Sequence, residues 1–327
     1  MWRYIVRRLL LGVLTIVVIT FVVYALLWAL PEKPYAFLIN RPNQSPAQIQ
    51  AIINRFGADK PFIVQYGTFL SNLLKWPPDL GDSLTQHTSV ANAIGLRIGN
   101  TAILMGSSYV ITLLIAIPIG ILSAVRQYSK MDNVVTTLSF VGISLPNFWF
   151  GSMLIFAFAV FPHEHGFPTI FPEGGMHSNN NNSLLDLAWH LVLPVIVLAV
   201  QSIAQYARYV RSSMLEVLSQ DYIRTARAKG LADRRVVLRH AMRNSLLPLI
   251  TLMGLDIPQL FVGAVVTEFV FNWPGMGRLF VDSATANDYS ILLGILLILS
   301  VFVVLGNLIA DLAYTWADPR ISYEASR

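Results

Sequence analysis

Six stretches of the chain read as continuous apolar runs with almost no charge: Leu9–Leu30, Ile98–Val125, Asn133–Pro162, Leu187–Ala207, Ser245–Phe271 and Tyr289–Ala310. Each matches or exceeds the roughly 20 residues that cross about 30 Å of hydrocarbon. In lipid the backbone must satisfy its own polar groups, so every run is predicted to be a transmembrane helix. The first run follows Arg3, Arg7 and Arg8 as a secretory signal would. It is too long for a signal core and no small-x-small site follows Pro31, which predicts that it stays in the membrane. Segment 31–97 carries helical patterning of its own over Pro46–Phe56 and Pro61–Leu74 and is read as a small extracytoplasmic lobe. The loop at 163–186, with Gly174, Gly175 and Asn179–Asn182, predicts a mobile polar strip, and 272–288 a further outer connection. Pro118, Pro146, Pro194, Pro248 and Pro258 fall inside runs, where each removes a backbone donor and favours a kink; such a bundle suits a cavity that moves.

Charge sets the orientation. Of the 23 basic residues, three precede the first run, two lie at 125–132, nine between Arg208 and Arg243, and two after the sixth run. The 163–186 loop has none, and 272–288 has only Arg278. The positive-inside rule therefore predicts a multi-pass protein with both termini and the 208–244 loop in the cytoplasm. The six basic residues of 31–97 weigh little, because long segments translocate largely regardless of charge. The chain divides into 1–30, the lobe 31–97, a five-helix core 98–317 holding the loop 208–244, and a tail 318–327. With 55% hydrophobic and 13% charged residues the protein is an all-α integral membrane protein. The net charge of +5 is spread beside apolar runs without an aromatic-interleaved groove, which points to anionic lipids or a protein partner and away from nucleic acid.

The segment Asp221–Pro248 departs from this pattern. It concentrates Arg224, Arg227, Lys229, Arg234, Arg235, Arg239 and Arg243 between two apolar runs. Asp221 is placed to cap a short helix over Tyr222–Lys229, and Gly230 to end it in the left-handed region. Asp233 is placed to cap a second helix running through Arg243. A helix so defined in a loop reads as a docking device for a cytoplasmic partner. Tyr222, Thr225 and Ala226 share a face by their spacing, Ala228 and Gly230 allow close approach, and Arg224 and Arg227 would meet acidic edges or headgroups.

Chemistry is otherwise sparse. No GxxxxGK[ST], HExxH, GxSxG or CxxC occurs, and there is no cysteine, so ATP binding, proteolysis and thiol chemistry are not expected of this chain. His163, His165 and His177 share one outer loop with Glu164 and Glu173, but a metal site needs ligands fixed by a supporting shell, and none is assigned. Asp256 and Glu268 in the fifth run are costly in a bilayer and should face a partner or a wet cavity. Glu268 lies near the outer end, where it would also reach the headgroups. Gln201 and Gln205 are the weaker candidates for the same path.

These pieces carry a resemblance: WRYIVRRLL at the start, GADKPFIVQY at 57–66, DLGDSL at 79–84, SLPNFWFG at 144–151, RSSMLEVLSQDYIRTARAKGL at 211–231, RNSLLP at 243–248, FNWPGMGRL at 271–279 and DPR at 318–320. In this order, over nearly the whole length, the chain resembles the first permease subunit of bacterial dipeptide and oligopeptide ABC importers. The resemblance implies a type I-like permease in the bacterial inner membrane, without a cofactor of its own. It would work with a second homologous permease, two cytoplasmic ATPase subunits that bind ATP-Mg, an external substrate-binding protein and a peptide substrate. It also implies that 221–230 is the coupling helix seated in an ATPase groove. The permease-wide EAA-x3-G pattern falls on Arg224, Thr225, Ala226 and Gly230, with arginine where glutamate is general. Asp256 stands where the resemblance leads us to expect a neutral residue, which points to tuning for a particular substrate. Permeases for nickel or metal chelates look alike and form the alternative within transport. An ion-coupled secondary transporter using Asp256 or Glu268 is the alternative from another class.

Overall fold

The computed structural model describes residues 2–30, 45–56, 59–83, 85–179, 181–246, 249, 252–253, 256 and 264–317. Among them there is no sheet, only isolated bridges between Asp82 and Ser89 and between Ser178 and Asn181. The helices are α1 (Trp2–Ala29), α2 (Pro46–Phe56), α3 (Phe62–Leu73), α4 (Val90–Val125), α5 (Lys130–Ser144), α6 (Asn147–Glu164) and α7 (Leu184–Leu218). After them come α8 (Asp221–Ala228), then α9, which runs from Asp233–Arg235 through a π-helical Val236–Ala241 into Met242–Ser245. α10 (Val265–Val270), α11 (Met276–Thr285) and α12 (Tyr289–Ala317) complete the chain. Four of these, α1, α4, α7 and α12, are long and apolar enough to cross a membrane, and α5 with α6 makes a fifth if that bent pair is one span. Part of the run Ser245–Phe271, including Pro248 and Pro258, lies outside the described residues, as does the tail from 318.

The run Asn133–Pro162 bends at Pro146, one of the prolines expected to kink its run. α5 and α6 meet at 98° across Leu145–Pro146, because Pro146 has no N–H to continue the ladder and the residue before it turns extended. Within α6, Phe156–Val160 is π-helical, and the Phe158 carbonyl accepts from Ile170 N at 3.0 Å. That wider turn frees a carbonyl for the segment that follows. Pro118 and Pro194, by contrast, sit inside unbroken α4 and α7.

The chain forms two compact units, Met1–Asn100 with Gly275–Val304, and Thr101–Pro274 with Leu305–Arg327. In the first, α3 lies on α1: the Tyr66 hydroxyl donates to the Val17 carbonyl at 2.9 Å, and Phe21 and Tyr24 of α1 stack around Phe62 and Tyr66. Its core joins Val90 and Ile94 of α4, Met276 and Leu279 of α11, and Ile291 and Ile295 of α12. The outer connection at 272–288 is a built element, pinned by buried Asp288, which accepts from Ser83 Oγ at 2.6 Å and from the Thr85 N–H at 3.0 Å.

In the second unit α7 is central. A Cβ on Gly120 of α4 would stand 2.7 Å from the Ala207 carbonyl oxygen, so this glycine sets how closely α4 and α7 approach. Among its described residues, all but Asn180, the loop at 163–186 is tied down by hydrogen bonds, contrary to the mobile strip expected. Buried Asp186 accepts from Ser178 N at 2.9 Å and Ser178 Oγ at 2.7 Å, Gly175 N donates to the Phe271 carbonyl at 2.8 Å, and Trp189 Nε1 to the Ile170 carbonyl at 2.8 Å. A desolvated carboxylate needs donors, and supplying them fixes the loop.

Candidate functional site

Two features of the second unit hold all the predicted site residues but Glu268: a loop helix and a polar cavity. In the loop, α8 begins one residue earlier than expected. Gln220 occupies the cap position without a side-chain cap bond, and Asp221 is already helical, where its charge suits the first turn and lies 3.6 Å from Arg224. The capping expected of Asp233 is corrected in the same way: Ala232 is the cap, and Asp233 instead accepts from Arg227 Nε at 3.1 Å. The end of α8 follows the expectation. Gly230 has φ +79°, its N–H bonds the Arg227 carbonyl at 2.9 Å, and Leu231 N–H bonds the Ala226 carbonyl at 3.4 Å. This is the Schellman pattern, which needs a left-handed residue at Gly230.

Ile223 alone of α8 is fully buried, in a cluster with Val210 and Met214 of α7, Val236 and Ala241 of α9, and Leu249. Ala226 packs on the same cluster, so it turns inward and parts from Tyr222 and Thr225, with which its spacing grouped it. Tyr222, Arg224, Thr225, Arg227 and Ala228 are exposed. Tyr222 is steadied by Asn244 Nδ2, which donates to its hydroxyl at 2.9 Å, and Thr225 Oγ1 by the Asp221 carbonyl at 3.0 Å. One side of α8 is thus fixed to this chain and the other is left bare. A bidentate pair that sequence reasoning missed braces α7 just before this loop: Arg211 Nε and Nη2 donate to buried Asp132 at 2.6 and 2.8 Å. Ser123 and the Tyr128 N–H complete its shell. Asp132 follows a capping Ser129 at the edge of an apolar run, a signal shared by many first-turn acids.

The cavity, of about 340 Å³, brings together three of the four predicted path residues, Gln201, Gln205 and Asp256. Ser108, Tyr109 and Thr112 of α4, Asn147 of α6, and Ser202 and Tyr206 of α7 complete its polar lining. A second cavity of about 390 Å³ shares Gln205, Tyr206 and Asp256 and adds Arg208 and Ser212. Gln201, Gln205, Arg208 and Ser212 recur at four, seven and eleven residues, which lays them along one face of α7. Tyr206 Oη donates to Asp256 Oδ2, and the Tyr109 and Tyr206 hydroxyls are 3.0 Å apart. The tyrosines carried no separate signal in the sequence, since a tyrosine in an apolar run reads as packing.

Glu268 lines neither cavity. It is fully buried on α10 and accepts from Thr101 Oγ1 at 2.6 Å, which corrects the expectation that it reaches the headgroups. The histidines do not converge either. His165 Nδ1 meets the Phe161 carbonyl at 2.8 Å, His177 Nδ1 meets Asp186 at 3.2 Å, and among the described residues no three acidic or histidine side chains gather as a metal would need.

Comparison with known proteins agrees with this architecture. The chain is 43% identical over 325 residues to the oligopeptide transport system permease protein AppB of Bacillus subtilis, covering 99% of this chain and 100% of that one. It is 35% identical to the di/tripeptide transport system permease protein DppB of Pseudomonas aeruginosa, covering 99% and 100%. A chain of the MetNI methionine ABC transporter, solved in an inward facing conformation, shares the fold with a TM-score of 0.55 at 16% identity, covering 69% of this chain and 96% of that one. The N-terminal model of binding-protein-dependent transport system membrane components matches residues 1–105, and the model described as "Binding-protein-dependent transport system inner membrane component" matches residues 116–323. With both models and full-length relatives in agreement, the chain belongs to the family of binding-protein-dependent transport system inner membrane components.

Proposed function

We propose that this chain is the permease through which an ATP-driven importer moves di- and oligopeptides across the bacterial inner membrane. The observation that carries the substrate class is the end-to-end likeness to permeases named for oligopeptide and di/tripeptide transport. The chain is a permease and not an enzyme; hydrolysis belongs to separate subunits. In this reading it crosses the membrane six times with both termini in the cytoplasm, displays the lobe 31–97 outside, and pairs with a second homologous permease. Two ATPases carrying ATP-Mg and an external binding protein complete the importer.

α8 is the coupling helix of this reading. ATP binding draws the two ATPases together, their grooves carry the coupling helices, and rigid helices pass the displacement to the cavity lined by Gln201, Gln205 and Asp256. Its support is the polarity of α8 itself, with Ile223 sunk in the chain's own core and Tyr222, Arg224 and Thr225 left exposed. The test is complementation of a strain lacking its own peptide importers with this permease and the rest of its system. Restored uptake of a labelled tripeptide is expected. Restored uptake of nickel without peptide would overturn the substrate class, and transport by the permease without any ATPase would overturn the whole reading.

A further inference from the structure

The polar stripe of α7 ends on a carboxylate for which no described residue supplies a cation. Among the described residues, Asp256 is the one formally charged side chain lining the cavity of about 340 Å³. Among the described residues it has no lysine, arginine or histidine partner; its hydrogen bond comes from Tyr206 and engages Oδ2. Arg208 lines only the second cavity, and its guanidinium lies over the Phe140 ring, 5.9 Å from the centroid. A carboxylate kept inside a membrane bundle at this cost is ordinarily a site for a partner. Here that partner must enter through the cavity.

Resting on the peptide-permease reading, we infer that Asp256 and the Tyr206 hydroxyl form a subsite for the free ammonium end of the transported substrate. Tyr206 is itself held by the Tyr109 hydroxyl at 3.0 Å, so the carboxylate is oriented with Oδ1 left for a donor. A primary ammonium brings three N–H donors and no acceptor. Oδ1 takes one, and the amide carbonyls of Gln201 and Gln205 on the same cavity wall are suited to the others. The lining suits an organic cation better than a divalent metal, because it offers a single carboxylate among neutral amides and hydroxyls where such ions collect several anionic or imidazole ligands. The subsite also rejects anions, since no basic side chain among the described residues lines this cavity to offset Asp256.

The test uses the complete importer, with its ATPases and external binding protein, and follows uptake of a tripeptide and of its N-acetyl analogue. Discrimination by the binding protein is the same for every permease variant, so it cancels when each peptide is compared between wild type and mutant. Asp256→Asn should lower uptake of the free-amine peptide about tenfold, the scale of one charge-assisted hydrogen bond, and change uptake of the acetylated peptide less than about twofold. Asp256→Glu should keep the preference for the free amine. Equal losses for both peptides, or no loss for either, would overturn the subsite. If the Asp256→Asn importer fails to assemble, Asp256→Glu decides, and loss of its amine preference is equally fatal. Uptake that vanishes when choline replaces sodium would assign the carboxylate to a metal cation instead. A wild-type importer that carries no peptide would sink the peptide reading itself, an outcome distinct from all of these.

Discussion

Ile223→Ala tests whether one buried side chain holds α8 as a lever against its own chain. Ile223 is the single fully buried residue of α8, and it sits among Val210, Met214, Val236, Ala241 and Leu249. Cutting a buried isoleucine to alanine costs about 2–5 kcal/mol, from lost transfer energy and the cavity left behind. The low end applies, because α8 lies at the surface and can settle into the space, which gives about 2 kcal/mol. Besides the small Ala226 packed on the same cluster, the other ties of α8 to this chain, Tyr222 to Asn244 and Arg227 to Asp233, are exposed and worth little. Most of the penalty should therefore appear as local release of α8, a shift of about thirtyfold in its docking equilibrium. Hydrogen exchange on the assembled importer reads this directly, as a roughly thirtyfold faster exchange of the 221–231 amides with the α7 amides unchanged. Peptide uptake per ATP hydrolysed should fall in parallel, since a loosely held lever passes on less displacement. Unchanged exchange in 221–231 would refute the anchoring role of Ile223; faster exchange with full coupling would refute α8 as the lever.

Two further substitutions follow from the same unit. Asp132→Ala strands the Arg211 guanidinium, whose side chain is 24% exposed against 2% for Asp132, so a loss of about 2–3 kcal/mol is expected, below the 3–5 typical of a fully buried pair. A lowered unfolding temperature in detergent checks it, and Asp132→Asn combined with Arg211→Gln should recover part of the loss; a double mutant as unstable as Asp132→Ala would count against the pair. At Gly230 an added Cβ would meet nothing within 4 Å, so Gly230→Ala costs only the left-handed backbone, about 1 kcal/mol, and Gly230→Asn less. Exchange of the last turn of α8 should rank glycine, asparagine and alanine in that order, slowest first, and a different order would mean that the Schellman turn does not end the helix.

What the sequence disclosed was what depends on local order. The helices over Pro46–Phe56 and Phe62–Leu73 and the left-handed turn at Gly230 arise from neighbours in the chain, and their patterns were readable. The capping residues were not, because Asp221 and Asp233 have the right chemistry but the chain leaves the extended region one residue sooner, at Gln220 and Ala232. Order in the 163–186 loop was invisible for another reason: its Gly175 and Ile170 bond to Phe271 and Trp189, distant in sequence. Asp256 and Glu268 gave the same signal, an acid in an apolar run, and met opposite fates. Thr101, 167 residues from Glu268, draws it into the protein, whereas Asp256 meets Tyr206 beside open space. Sequence can identify a charge that needs a partner; only the fold decides whether that partner is protein.

Tyr206 ties the two parts of the candidate site together. Its ring belongs to the cluster that buries Ile223, while its hydroxyl reaches Asp256 in the cavity. Between them Tyr206, Val210 and Met214 recur every four residues along α7 and so share a face. Protein interiors pack at crystal-like density and yield little to compression, so a displacement imposed on α8 is passed through Ile223 to that face of α7. If α8 is the lever proposed, the hydrogen bond from Tyr206 that orients Asp256 changes with it. On the proposed reading, the motor's stroke and the hold on the substrate then meet in one side chain, which is why loosening Ile223 should weaken coupling before it weakens the fold.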